Sequence, residues 1–276
     1  MHKSLNFFAP FGVMIRPASL EDELNLRALL TEIDENDYVL DHLSTWLQEK
    51  SIIVYERESI MGMVRSSYSK DGKAHLGSVR VHPGSRRQGI ATALTEYCIS
   101  KCGTDVVRLA IMDNKVSEIV AQKIGFEPVA YFTFLLKKTP FSFSPVPVKH
   151  GRPSDALSHL ENSVLFEQIH LLISCCFKFY TPSVESLKNT SIFFHESHMV
   201  ILDFNIEEAL TKAIQIAYCD PDPELIKYVN RIAFEREIKE IWAVIPKYEK
   251  LVTCLKNDGF QKVEWGETIT VFELVL

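Results

Sequence analysis

The 276-residue sequence has no CxxC pair among its cysteines (Cys98, Cys102, Cys175, Cys176, Cys219 and Cys254), and their spacing makes no regular framework. Neither a zinc knuckle nor a disulfide scaffold is indicated, and a reducing cytoplasmic compartment fits. A basic excess is missing too. The net charge of -6 supplies no footprint for nucleic acid or an anionic membrane, so neither is expected as a partner. Long apolar runs are absent: Ile169 to Cys176 falls well short of the roughly 18 residues of a membrane span. The apolar start Phe7 to Phe11 is short, is broken by Pro10 and runs into Ile15-Arg16-Pro17 without a small-residue cleavage site, so no signal peptide is read. What remains is ordinary globular material, 46% apolar and 24% charged, long enough for two cores.

The periodicities order that material. Met14 to Arg16 reads as a strand, followed by a helix with Ser19 and Asp22 as N-cap and N3. A short helix through Leu43, Trp46 and Leu47 and the strands Ile52 to Tyr55, Ile60 to Tyr68 and His75 to His82 follow. A helix then runs from about Gly89 to Gly103, and Val106 to Ile111 is a strand. Helix Lys115 to Ile124 stops at Gly125, and two strands, around Val129 and over Tyr131 to Leu136, complete a β-α-α-β-β-β-α-β-α-β-β unit. Four prolines between Thr139 and Pro153 mark a stiff linker. The boundaries expected are an extension at 1–13, a first domain at 14–138, the linker at 139–153 and a second domain at 154–276.

One strand-to-helix junction carries most of the functional signal: Val79-Arg80-Val81-His82-Pro83-Gly84-Ser85-Arg86-Arg87-Gln88-Gly89-Ile90-Ala91-Thr92. A helix start offers unpaired N–H groups and a positive dipole end, and glycine lets a phosphate approach the backbone. An ordinary strand, turn and helix with a basic, solvated turn is the plain alternative. The order Arg86, Gly89, Ala91 resembles the Q/R-x-x-G-x-G/A signature of the GNAT superfamily of N-acetyltransferases, and the preceding Val79-Arg80-Val81-His82-Pro83 is similar to its fourth strand. A second motif of that family, an asparagine opening a helix that ends in Gly-Phe, is matched by Asn114 and Gly125-Phe126.

That resemblance covers roughly residues 14 to 138 and implies an α+β GNAT fold, a mixed central sheet with flanking helices. It also implies transfer of acetyl from acetyl-CoA to a primary amine, without a metal. Val79, Arg80 and Val81 would meet the pantetheine arm, and Arg86, Arg87, Gln88, Gly89, Ile90, Ala91 and Thr92 the pyrophosphate, with Asn114 as a further cofactor contact. Many relatives carry a tyrosine acid four residues before the Gly, where this chain has Ala121. Some relatives place a glutamate base at the slot held here by His75. Histidine titrates near neutrality, so His75 is the candidate base, and a half-exposed strand histidine without a role is the alternative. The acids Glu32, Asp34, Glu35 and Asp37, with Tyr38, either attract a cationic amine or form a solvated loop. Nothing flanks Cys98 as a base, which argues against a covalent cysteine. A non-catalytic acyl-CoA sensor is the rival function, and a structural scaffold whose fold has lost the cofactor is a second.

The second half looks like a worn repeat. Gly259-Phe260 stands 134 residues beyond Gly125-Phe126, and at that offset Val107 to Ile111 falls on Ile241 to Ile245 and helix Lys115 to Ile124 on Glu249 to Asp258. Arg86 then becomes Asp220, Gln88 becomes Asp222 and Gly89 becomes Pro223. Acids repel pyrophosphate and proline removes a donor, so the second half is expected to be a degenerate GNAT-like domain that binds no CoA and helps to enclose a small acceptor.

Overall fold

The structure is a computed structural model and describes residues 12–140, 146–206, 209, 211–264 and 266–276. The apolar start at Phe7 to Phe11 and the middle of the proline-rich segment lie outside the described residues. Contacts divide the chain into two compact units, one of residues up to 67 with 76–103, the other of 68–75 with 104–276. Neither boundary falls in the proline-rich segment.

In the first unit, β1 (Met14–Pro17) leads through a 3-10 turn into α1 (Glu23–Ile33). The expected capping box is there: Ser19 N donates to Asp22 Oδ2 at 2.7 Å, and Arg16 grips the same carboxylate with Nη1 at 2.7 Å and Nη2 at 2.8 Å. Helix α2 (Val39–Gln48) precedes β2 (Ile52–Glu56), β3 (Ile60–Tyr68) and β4 (Ala74–Val81), and α3 (Ile90–Lys101) closes the unit. The strands lie in the order β1-β2-β3-β4. Apolar side chains at helical spacing on α1 and α2, among them Leu26, Leu30, Leu43 and Trp46, share a core with Val54 and Met63 from the sheet.

The second unit carries β5 (Val106–Met112), α4 (Lys115–Ile124) and β6 (Glu127–Lys138). The two strands read at the end of the first half are one strand of 12 residues. Then come β7 (Lys149–Gly151), α5 (Pro153–Glu161), α6 (Val164–Gln168), the hairpin β8 (Ile173–Cys175) and β9 (Lys178–Tyr180), β10 (Thr190–His195) and β11 (His198–Asp203). The chain ends through β12 (Ala213–Cys219), α7 (Pro223–Glu235), β13 (Glu240–Pro246), α8 (Glu249–Asn257) and β14 (Thr268–Val275).

These strands run β5-β14-β6-β13-β12-β11-β10-β7, with β12 and β13 parallel. The single long β6 has a reason in this order. Its first part pairs with β14 (Tyr131↔Thr270) and its last part with β13 (Leu135↔Ala243), so neighbours on both sides hold it extended over its whole length. Strand β14 in turn pairs with β5, Val275 opposite Val106 and Ile269 opposite Met112. Each half of the sequence thus sends its last strand to the next-to-last strand of the other half. Ile269, Val271 and Phe272 of β14 and Phe132 and Phe134 of β6 are buried. The link is reinforced by Arg108 of β5, 4% exposed, whose guanidinium donates to Glu273 of β14, to Asp71 (both 2.5 Å) and to the Phe179 carbonyl at 3.2 Å.

Candidate active site

Two left-handed residues build the turn between β4 and α3: Arg87 at φ 63° and Gly89 at φ 80°. At Gly89 the space around a Cβ is open, so it is the backbone conformation that calls for glycine. His82 accepts the Gly84 N–H on Nδ1 at 3.1 Å, which places its ring proton on Nε2, 3.0 Å from Glu32 Oε1. Arg86 donates through Nε to the Val81 carbonyl at 3.3 Å. Gln88 is held between Arg57 and the Gly84 carbonyl (3.2 and 3.4 Å).

Helix α3 starts on Gly89 without a side-chain cap, and its first bond runs from Ala93 N to Gly89 O, so the N–H groups of Ile90, Ala91 and Thr92 have no acceptor within the helix. Helices α4 and α7 differ: Asn114 accepts the Ser117 N–H at 3.1 Å and Asp222 the Glu224 N–H at 2.9 Å. The start of α3 is an open ring of donors flanked by the exposed Arg86 and Arg87, with Ile90 buried beneath as its anchor. Sequence reasoning missed Gly62. A Cβ there would stand 2.9 Å from Ile90 Cγ2 and 3.0 Å from the Arg80 carbonyl, so this glycine lets α3 approach β3. An isolated glycine inside a strand was the available signal.

The second half of β4 is only partly covered, with Val79 38% exposed. Ser78 has φ 51°, an uncommon left-handed value for a side-chain-bearing residue within a strand, and its Oγ lies 2.8 Å from Tyr38 Oη. Arg80 does not project freely. Its Nε and Nη2 donate to Asp37 at 2.5 and 2.9 Å, and its guanidinium lies over the Tyr38 ring. Burial works to lower the Arg80 pKa, but the hydrogen bonds and charge of Asp37 outweigh it and raise it. Asp37, 6% exposed, is therefore a strut that ties the α1–α2 connection to β4, while Asp34 accepts the Asn36 N–H.

His75 sits at the buried start of β4, 6% exposed, in the second unit. Asn114, also in the second unit, is the α4 cap. Ala121 is buried. The Cys98 thiol is pushed up to about 12, by burial first and by Cys102 second, so it stays protonated near neutrality. Among the described residues no group of three His, Cys, Asp or Glu side chains is arranged to hold a metal, and no helix is long and apolar enough to cross a membrane.

At the 134-residue offset, the corresponding place in the second half is occupied. β12 and β13 pair only from Ala213↔Glu240 to Ile216↔Ala243, although both strands continue for three more residues. Beyond that point Tyr218, Phe166, Ile169 and Val244 share one apolar cluster, and Tyr218 Oη is 2.8 Å from Ser163 Oγ. Asp220 accepts from Tyr218 Oη (2.9 Å), from Met199 N (2.7 Å) and lies 2.7 Å from His159 Nε2. Burial pushes the Asp220 pKa up, yet these hydrogen bonds outweigh it and keep the group ionised. A phosphate would meet two buried carboxylates there, Asp220 and Asp222, and a proline at the first helical position.

Comparison with known proteins gives this geometry its family. The sequence profile of the acetyltransferase (GNAT) family matches residues 20–126. Residues 20–126 of this chain are a GNAT domain. Among solved structures, the chain is similar to a proposed acetyltransferase of Thermoplasma acidophilum (15% identity, TM-score 0.59, 95% of this chain and 100% of that one). It is also similar to one of Pyrococcus horikoshii (14%, 0.60, 100% and 93%) and to a GCN5-related N-acetyltransferase of Sphaerobacter thermophilus (10%, 0.61, 96% and 96%). At these identities the likeness is one of fold, and it extends over both halves. No curated protein matches the sequence.

Proposed function

We propose that the chain transfers an acetyl group from acetyl-CoA to a primary amine, using the open start of α3 as its pyrophosphate site. The observation that carries this reading is the uncapped helix start behind Gly89, flanked by Arg86 and Arg87, within a GNAT domain. The backbone of Val79 to Val81 would pair with the pantetheine arm; the Arg80 side chain is engaged by Asp37 and would act by holding the α1–α2 connection, where the acceptor approaches.

The second half is read as a degenerate GNAT-like repeat without CoA, supported by its acidic helix start and the filled gap between β12 and β13. A small acceptor in a reducing cytoplasm remains the reading for the first half. Direct transfer requires the amine to lose a proton, and His75 is the candidate base; loss of amine acetylation with retained acetyl-CoA binding in His75→Gln is the outcome that would support it. The rival, a non-catalytic acyl-CoA sensor, rests on Ala121 at the usual acid position.

Isothermal titration with acetyl-CoA on the wild type and on the folded Arg86→Glu, Gly89→Glu variant tests the cradle. One site in the wild type that is lost in the variant is expected. No binding to the folded wild type would remove both the enzyme and the sensor readings. Binding without acetylation of any amine in a broad panel would favour the sensor.

A further inference from the structure

The second unit holds a cavity of about 390 Å³ where β13 ends. Leu165, Ile169 and Pro246 supply its apolar lining, and Tyr131 and Tyr248, 50% and 38% exposed, line it with their rings. This is within the size range of small-molecule sites, and apolar side chains and polar tips share its lining. The segment behind Tyr248 is fixed before any ligand arrives: Lys247 N donates to the Tyr131 carbonyl at 3.0 Å, Tyr248 N to the Pro246 carbonyl at 2.7 Å, and Val252 N to the Tyr248 carbonyl at 3.0 Å.

The polar lining residues can all donate, and Lys247 alone carries a full charge. Lys247 and Gln168 line the cavity with the two tyrosine hydroxyls. Among the described residues, Lys247 has no carboxylate within 4.0 Å, and Asp113 and Lys115, the charges it acts with, have partners of their own. Lys115 pairs with Glu118 at 2.7 Å, and the Asp113 carboxylate accepts the N–H groups of Glu267 and Thr268 at 2.7 and 3.1 Å. Those backbone bonds hold the Asp113 pKa below the ordinary carboxylate value, against burial and with help from the charges of Lys247 and Lys115. Two tyrosine faces alone could also cradle an ammonium group, but a lysine at the rim repels one.

We propose that this cavity binds a small organic carboxylate with a flat apolar body, its ring between Tyr131 and Tyr248 and its carboxylate on Lys247. The site stands apart from the acetyl-CoA reading, since none of its residues belongs to the cradle.

Fluorescence titration with 2-naphthoate is the test, run on the wild type, Lys247→Glu and Tyr131→Ala, with 2-naphthylmethylamine as the cationic counterpart. Thermal melts verify folding, and acetyl-CoA titration of each variant reports on the cradle separately. Saturable naphthoate binding with a Kd of about 1 mM or tighter is expected, weakened at least tenfold in both variants, with the amine at least tenfold weaker than naphthoate. Failure of naphthoate to saturate the folded wild type overturns the proposal, as does an unchanged titration in folded Lys247→Glu or an amine that binds as tightly as the acid.

Discussion

Removing residues 266–276 would take away β14 together with its lead-in Gly266 and Glu267, which bonds Asp113 and Lys256. If the halves were independent domains divided at the proline-rich segment, the loss would fall on the second half alone. In the structure β14 is the partner of β5, which belongs to the first half, and it also pairs with β6. Ile269, Val271 and Phe272 are each at most 1% exposed, and burial of such side chains contributes about 1.5–3 kcal/mol apiece, so their loss removes about 5–9 kcal/mol. Arg108 would also be left without Glu273. A domain's whole stability is about 5–15 kcal/mol, so the shortened chain should lose cooperative unfolding or denature at far lower urea. Hydrogen exchange locates the effect: the amides of Val106–Met112 should lose protection together with those of β6. Intact protection across β5, with urea unfolding of the first half unchanged, would refute the strand exchange.

Four further outcomes follow from named contacts. Asp22 titrates at about 2, against 3.8 when unperturbed, because Arg16 hydrogen-bonds its carboxylate first of all, with burial opposing and Ser19 assisting. A depressed folded pKa contributes stability above the unfolded pKa that is lost as pH falls through the folded one, so Asp22→Asn should cost about 1–2 kcal/mol at pH 7 and flatten the acid limb between pH 4 and 2 in thermal melts. Arg108→Leu should destabilise by about 3–5 kcal/mol in urea titrations, because Asp71 and Glu273 are left as half-buried carboxylates without the guanidinium; a loss under 1 kcal/mol would contradict that. Gly62→Val should cost about 1–3 kcal/mol and weaken acetyl-CoA binding as α3 is displaced; unchanged affinity would separate α3 seating from the cradle. In thiol titration of the native protein at pH 8, Cys98 should react far more slowly than the half-buried Cys175, and equal rates would contradict its burial.

Local chemistry made much of the fold readable. Gly125 adopts φ 110° and stops α4, Asn114 caps it, and the capping box at Ser19 and Asp22 starts the first helical segment, because each depends on residues within a turn of one another. The periodicities placed β3 and α4 at their observed limits. Strand β6 was broken in two by the same method. Its continuity depends on β14 and β13, more than a hundred residues away, and a pattern of alternating side chains does not say which distant strand it will meet.

The site was legible in its backbone and opaque in its side chains, for the same physical reason. The free N–H groups at the start of α3 are encoded by consecutive residues, Arg86 to Thr92, and the left-handed Gly89 opens that helix. Arg80 is different. Read along the chain it is one more cation beside the cradle; in space Asp37, 43 residues earlier, takes two of its three donor nitrogens, so its charge organises the α1–α2 connection. The acidic segment around Asp37 then changes meaning as well. Asp37 is neutralised and buried, and it cannot serve as an attractor for a cationic acceptor while Arg80 holds it. If the connection does line the acceptor site, Asp37→Asn should raise the KM for the amine through a loosened loop, with the acetyl-CoA affinity preserved by the intact cradle. A direct electrostatic role for Asp37 would instead make that KM strongly dependent on ionic strength in the wild type, and the two effects are measured in one set of initial-rate assays.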